Sequence, residues 1–127
     1  MELAHAYAPG STEINLALGN LWLQQENLPL AETCYQAVLR MDPRHKAALN
    51  NLGVVALSGK KWESATNYFR AALAVDPDDA KTHYLYARAQ FEAGNIDLAL
   101  SEIQIALRLR PGQREFEDLH KLIRRRP

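Results

Sequence analysis

The chain contains a single cysteine, Cys34, in 127 residues. It can form no internal disulfide, and a lone thiol fits a reducing compartment. Net charge is missing too: 15 Lys plus Arg are balanced by 15 Asp plus Glu. No global field therefore draws in a phosphate backbone or an anionic lipid surface. No apolar run approaches the roughly 18 residues of a membrane-spanning helix. Met1 to Gly10 has neither a basic head nor a sustained apolar stretch, so it does not read as a secretion signal. From these absences we expect a cytoplasmic location. Chemical motifs are also lacking: there is no phosphate loop, nucleophile elbow, paired-cysteine site or metalloprotease helix. The histidines, His5, His45, His83 and His120, are scattered without metal-ligand spacing. The expectations are no catalysis, no cofactor and no metal, with neither nucleic acid nor membrane as partner.

What the chain does have is a period. Pro9, Pro43, Pro77 and Pro111 are spaced by 34 residues, and their surroundings repeat as Met41-Asp42-Pro43, Val75-Asp76-Pro77 and Leu109-Arg110-Pro111. Units of 12–45, 46–79 and 80–113 bring other residues into columns. Ala31, Ala65 and Ala99 share one; Tyr35, Phe69 and Ile103 another; Leu18, Leu52 and Tyr86 a third; Gly19, Gly53 and Ala87 a fourth. Apolar positions recur at three and four residues, as in Leu49, Leu52, Val55 and Ala56, then Ala65, Tyr68, Phe69, Ala72 and Leu73, which is the helical period. Each unit is therefore two helices. Ser58-Gly59-Lys60 and Ala93-Gly94-Asn95 break the second and third units at mid-length, with glycine suited to a left-handed helix end. Asn27 is expected to serve that purpose in the first. The prolines stop each second helix, and short turns make each pair antiparallel. Gly and Ala columns let helices approach closely, while the bulky columns fill the remaining space; Cys34, beside Tyr35, is expected to be a partly buried, inert thiol.

These columns resemble the tetratricopeptide repeat family over Thr12 to Gln113. The second unit matches best, with Leu49, Leu52, Gly53, Ala65, Phe69, Ala72 and Pro77. The first offers Leu18, Gly19, Trp22, Ala31, Tyr35 and Pro43 but has Asn15 at the usual tryptophan place. The third departs at His83, Ala87 and Gln90 and keeps Ala99, Ile103, Ala106 and Pro111. The fold expected is an all-α, right-handed solenoid of antiparallel helix pairs. Residues 1–11 read as the remnant of a preceding repeat helix, either because the chain is a piece of a longer array or because it carries a degenerate half repeat. Residues 114–127 read as a capping helix with a basic tail, whose apolar stripe is Phe116, Leu119, Leu122 and Ile123.

The resemblance implies a noncatalytic interaction scaffold. In such arrays the first helices line a concave groove that holds an extended or helical peptide. The groove residues expected here to bind are Leu16, Asn20, Leu23, Asn50, Asn51, Val54, Leu57, Lys81, Tyr84, Arg88 and Phe91. Amides carry both a donor and an acceptor, so Asn20, Asn50 and Asn51 suit a peptide backbone of any sequence. Solvation, or bonding across adjacent helices, is the alternative use of the same amides. In family members that grip a terminal carboxylate, two asparagines and three basic residues form the clamp. Asn20, Asn51 and Lys81 match it, while Leu16 and Leu85 stand where two cations would be. Lys81 and Arg88, seven residues apart on one helix face, favour acidic peptide groups, or Arg88 pairs with Glu92. The partner expected is a protein or peptide. The second reading is a targeting or oligomerisation module of a larger protein, such as a multidomain enzyme. The charge asymmetry, minus 4 over residues 1–107 and plus 4 over 108–127, adds the expectation of head-to-tail self-association.

Overall fold

A computed structural model describes residues 11–125. Among them the chain forms seven helices and no strand: α1 (Thr12–Gln24), α2 (Leu28–Met41), α3 (Lys46–Ser58), α4 (Trp62–Val75), α5 (Ala80–Glu92), α6 (Ile96–Leu109) and α7 (Arg114–Arg124). The expected remnant helix over 1–11 lies almost wholly outside the described residues.

Local chemistry starts and stops these helices in register. Ser11 Oγ accepts from the Ile14 N–H and Asn27 Oδ1 from the Leu30 N–H, both at 3.2 Å. His45 Nδ1 does the same for Ala48, also at 3.2 Å, so this histidine caps α3. At the other ends, Asp42, Asp76 and Arg110 precede the comb of prolines and share one extended conformation, with φ of −140°, −140° and −143°. A proline's ring forbids the residue before it a helical backbone, which is why all three second helices end alike.

Two of the three mid-repeat turns correct the sequence reading by one position, and the third has its left-handed residue at Gly94 as expected. The left-handed residues are Glu26 (φ 61°), Lys60 (φ 61°) and Gly94 (φ 90°), which stand 34 residues apart. Gly59 and Asn27 have φ of −84° and −91°, so neither takes that role; Asn27 caps α2 instead. In each turn the next N–H reaches back five residues: Asn27 to the Trp22 carbonyl, Lys61 to Ala56 and Asn95 to Gln90, at 2.8–2.9 Å. This closes each first helix in a Schellman motif. Only the third turn places glycine at the strained point. The left-handed penalty, about 1–2 kcal/mol, exceeds glycine's extra unfolded-state entropy, about 0.5–1 kcal/mol. Lys60→Gly is therefore expected to stabilise the protein by about 0.5–1 kcal/mol, read as a higher urea midpoint with an unchanged slope; an unchanged or lower midpoint would refute it.

The hydrophobic core follows the repeat junctions. One cluster joins Ala31 and Tyr35 to Leu52 and Val55, a second joins Ala65 and Phe69 to Leu85 and Ala89, and a third joins Ala99 and Ile103 to Phe116, Leu119 and Ile123. Each unit thus completes its interior only with the next one, as stacked repeats require. Cys34 is fully buried, and burial pushes its thiol pKa up, so it stays protonated and unreactive. His83 takes the place that Leu49 holds one repeat earlier. It is buried, with Nδ1 2.7 Å from Glu102 Oε1 and Nε2 2.7 Å from the Pro77 carbonyl oxygen, tying α6 and the preceding turn to α5. Lys46 Nζ, at the start of α3, reaches Asp76 at 2.9 Å and Asp79 at 3.1 Å across that same turn.

Successive first helices touch directly, α1 on α3, α3 on α5 and α5 on α7, while no comparable contact joins successive second helices. The first helices therefore form the inner, concave wall. On the outside, the second helices leave two clefts one repeat apart. The first, of about 170 Å³, is lined by Leu28, Gly59 and Ser64 among others; the second, of about 450 Å³, by their counterparts Trp62, Ala93 and Leu98.

Candidate functional site

The concave wall is built from α1, α3, α5 and, continuing the 34-residue register, α7. At its N-terminal half lies a hydrogen-bond knot that spans three helices. Asn20 Oδ1, on α1, accepts from the Tyr35 hydroxyl of α2 and, at 3.0 Å, from Asn51 Nδ2 of α3. Burial, with a smaller contribution from Cys34 and an opposing one from Asn51, raises the Tyr35 pKa to about 12. The phenol therefore stays protonated and donates. Bonding across adjacent helices does occur, but it consumes only half of each amide. The Asn20 NH₂ group and the Asn51 carbonyl oxygen have no partner among the described residues, leaving a donor and an acceptor side by side. Sequence reasoning placed Tyr35 only in the core. Its hydroxyl reaches Asn20 across the first helix pair and Asn20 meets Asn51 of the next repeat, side-chain contacts that a column of residue types does not contain.

The other expected groove residues divide by depth. Leu16 and Leu23 are half-buried beside the first core cluster, and Val54 beside the second. Asn50 is half-buried, with its Oδ1 enclosed and without a partner among the described residues. Leu57, expected to dock ligand, is a correction: it is 8% exposed and belongs to the core with Ala65, Phe69 and Leu85, so it offers a ligand almost no surface. Leu85 is likewise buried. Tyr84 is half-buried and its ring stacks on Phe116 of α7, centroids 5.0 Å apart at 23°. Phe91 packs at the edge of the same cluster. Lys81 and Arg88 are exposed, and among the described residues neither enters an ion pair; the alternative pairing of Arg88 with Glu92 does not form.

Reading α7 as a cap captured only part of its role. Phe116, Leu119 and Ile123 are buried as expected, but Leu122 is 45% exposed and leaves the apolar stripe. The reason is register: Leu122 stands 34 residues beyond Arg88, and Asp118 stands 34 beyond Tyr84, so both belong to the concave wall. Between α5 and α7 this creates a cavity of about 290 Å³ lined by Tyr84, Arg88, Glu115, Asp118, Leu119 and Leu122. The signal was in the sequence, since the comb extends past Pro111 without interruption.

Helix pairs of constant length, stacked through shared junction cores and open on one concave side, define a helical-repeat solenoid. The chain belongs to the tetratricopeptide repeat family: one family model matches residues 56–123, more than half of the chain, and a second matches residues 16–66. Among curated proteins it is 30% identical over 94 residues to Superkiller protein 3 of Schizosaccharomyces pombe, covering 74% of this chain and 7% of that protein. It is 26% identical over 105 residues to the peroxisomal targeting signal receptor of Candida glabrata, covering 83% and 18% respectively. The chain thus spans under a fifth of either relative. The same fold occurs in the first TPR of Spaghetti (RPAP3), solved with an HSP90 peptide bound, with a TM-score of 0.87 at 20% identity, covering 91% of this chain and 92% of that one.

Proposed function

We propose that the concave trough captures a peptide segment of a protein partner, reversibly and without catalysis. The observation that carries this reading is the half-spent amide pair. Asn20 and Asn51 are held in place by Tyr35 and by each other, yet keep one donor and one acceptor unused among the described residues, the complement of a peptide C=O and N–H. Pre-positioning matters because a ligand then has no side-chain freedom to freeze at that contact. Leu16, Leu23 and Val54 give apolar contact on either side, the half-buried Asn50 lies beside them with its Oδ1 turned inward, and Tyr84 and Phe91 extend the apolar wall toward α7, where Lys81 and Arg88 bring positive charge. With Leu16 and Leu85 in place of two cations, a grip on a terminal carboxylate is incomplete, so the segment held is an internal stretch of chain. The tetratricopeptide structure with a bound HSP90 peptide supports the general mode. The curated relatives, several times longer, favour a role for this array as the targeting or oligomerisation part of a larger protein.

The test uses peptides enriched from a random twelve-residue display library on the wild-type protein, with affinity measured by fluorescence anisotropy. Asn51→Ala removes the free acceptor and the bond that orients Asn20, and is expected to weaken binding about threefold to tenfold, the worth of one or two hydrogen bonds. Far-UV circular dichroism should stay unchanged, because the lost Asn51–Asn20 bond is exposed to water. Equal affinity of wild type and variant would remove the amide pair from the mechanism.

A further inference from the structure

The cavity between α5 and α7 is bipolar. Its floor is apolar, formed by the half-buried Tyr84 and the half-exposed Leu122 over the buried Leu119. Its α5 side carries Arg88, with Lys81 two turns away on the same face; its α7 side carries Glu115 and Asp118. Among the described residues, these opposite charges form no ion pair with one another, so each side keeps its own field at the opening. Of the other cations of α7, Arg114 stands beside Glu115 in the register of the buried Ala80. Lys121 and Arg124 stand in the register of Ala87 and Gln90, which is the face turned away from the trough.

We propose that this cavity is a specificity subsite for a peptide segment in which an apolar side chain is flanked by an acidic residue on one side and a basic residue on the other. The inference rests on the trough being the ligand surface and adds which ligand it selects. An open depression of about 290 Å³, apolar at its floor and charged at its rims, takes one medium or large apolar side chain. A neighbouring carboxylate then lies toward Arg88 and Lys81, and a neighbouring ammonium or guanidinium toward Glu115 and Asp118. A uniformly acidic segment meets the α7 carboxylates, and a uniformly basic one meets the α5 cations. Either mismatch places like charges together, so the subsite rejects as well as attracts. Because these charges border solvent, the preference is salt-dependent and weakens as screening shortens.

Random twelve-residue peptide display is run in parallel on the wild type, on Glu115→Lys/Asp118→Lys and on Asn51→Ala, with anisotropy titrations of the enriched peptides at low and high salt. Wild type is expected to enrich peptides with an acidic–apolar–basic core. The double charge reversal is expected to weaken the best of them about tenfold at low salt and less at high salt, and to regain affinity when the peptide's basic residue is changed to glutamate. The milder Glu115→Gln/Asp118→Asn, which keeps shape and removes only charge, is expected to cost about threefold. If wild type and the double reversal enrich the same peptides and bind them within twofold, the subsite is overturned, while loss of affinity in Asn51→Ala keeps the trough reading standing. If charge reversal switches the preference but Asn51→Ala changes nothing, the subsite stands and the amide pair falls. No enrichment on wild type overturns both.

Discussion

Gly53→Ala is expected to destabilise the protein by about 1–3 kcal/mol, the usual cost of overpacking a filled interior. The methyl group would sit 2.7 Å from both Cδ1 and Cζ of Phe69, a distance real side chains do not tolerate. Phe69 is fully buried and closed in by Ala65, Leu85 and Ala89, so its ring has nowhere to go. The third repeat shows how the conflict is relieved: there the column carries Ala87, and the facing residue is Ile103 in place of an aromatic ring. Phe69→Ile on its own should destabilise by leaving a cavity. In combination with Gly53→Ala it should cost less than the sum of the two single changes, a favourable coupling of about 0.5–3 kcal/mol for groups in direct contact. Urea denaturation of the four proteins in the cycle measures this. A Gly53→Ala protein as stable as wild type, or strictly additive effects, would show that ring and glycine are not in contact as described.

Phe116→Ala is expected to cost about 3–5 kcal/mol, the range for truncating a large buried aromatic side chain. Phe116 is 3% exposed, contributes to the core shared with Ala99 and Ile103, and carries the stack with Tyr84. Aromatic pairs of this kind add about 0.5–1.5 kcal/mol beyond the area they bury. The loss should also be local. Among the described residues helix α7 packs chiefly on α5 and α6, so hydrogen-exchange protection should fall over Arg114–Arg124 while α2 and α3 keep theirs. A uniform drop along all seven helices would instead mean that the array unfolds as one unit.

The sequence carried the architecture unusually far because the fold repeats itself. Four prolines set the period, and the columns Gly19/Gly53/Ala87 and Tyr35/Phe69/Ile103 marked the close-approach and space-filling positions, though not that the two columns face each other. What a column does not contain is the third dimension between units. The position of the left-handed residue, Lys60 instead of Gly59, depends on where the five-residue back-bond closes. The knot of Asn20, Tyr35 and Asn51 depends on the stacking distance of α1, α2 and α3. Leu57 is a groove residue by the family resemblance, yet Ala65 and Phe69 of its own repeat and Leu85 of the next cover it. Helix α7 was legible as an amphipathic cover, but its part in the trough emerges only when Asp118 and Leu122 are counted against Tyr84 and Arg88.

The two outer clefts give the array a direction in which it can bend. The inner helices touch each other lightly, whereas the backs of the units are separated by an open cleft at each step. A bend that parted the inner helices would turn the units about their shared cores and narrow those clefts. A molecule wedged into the gap beside Trp62 and Leu98 would therefore resist that opening from the far side of the protein.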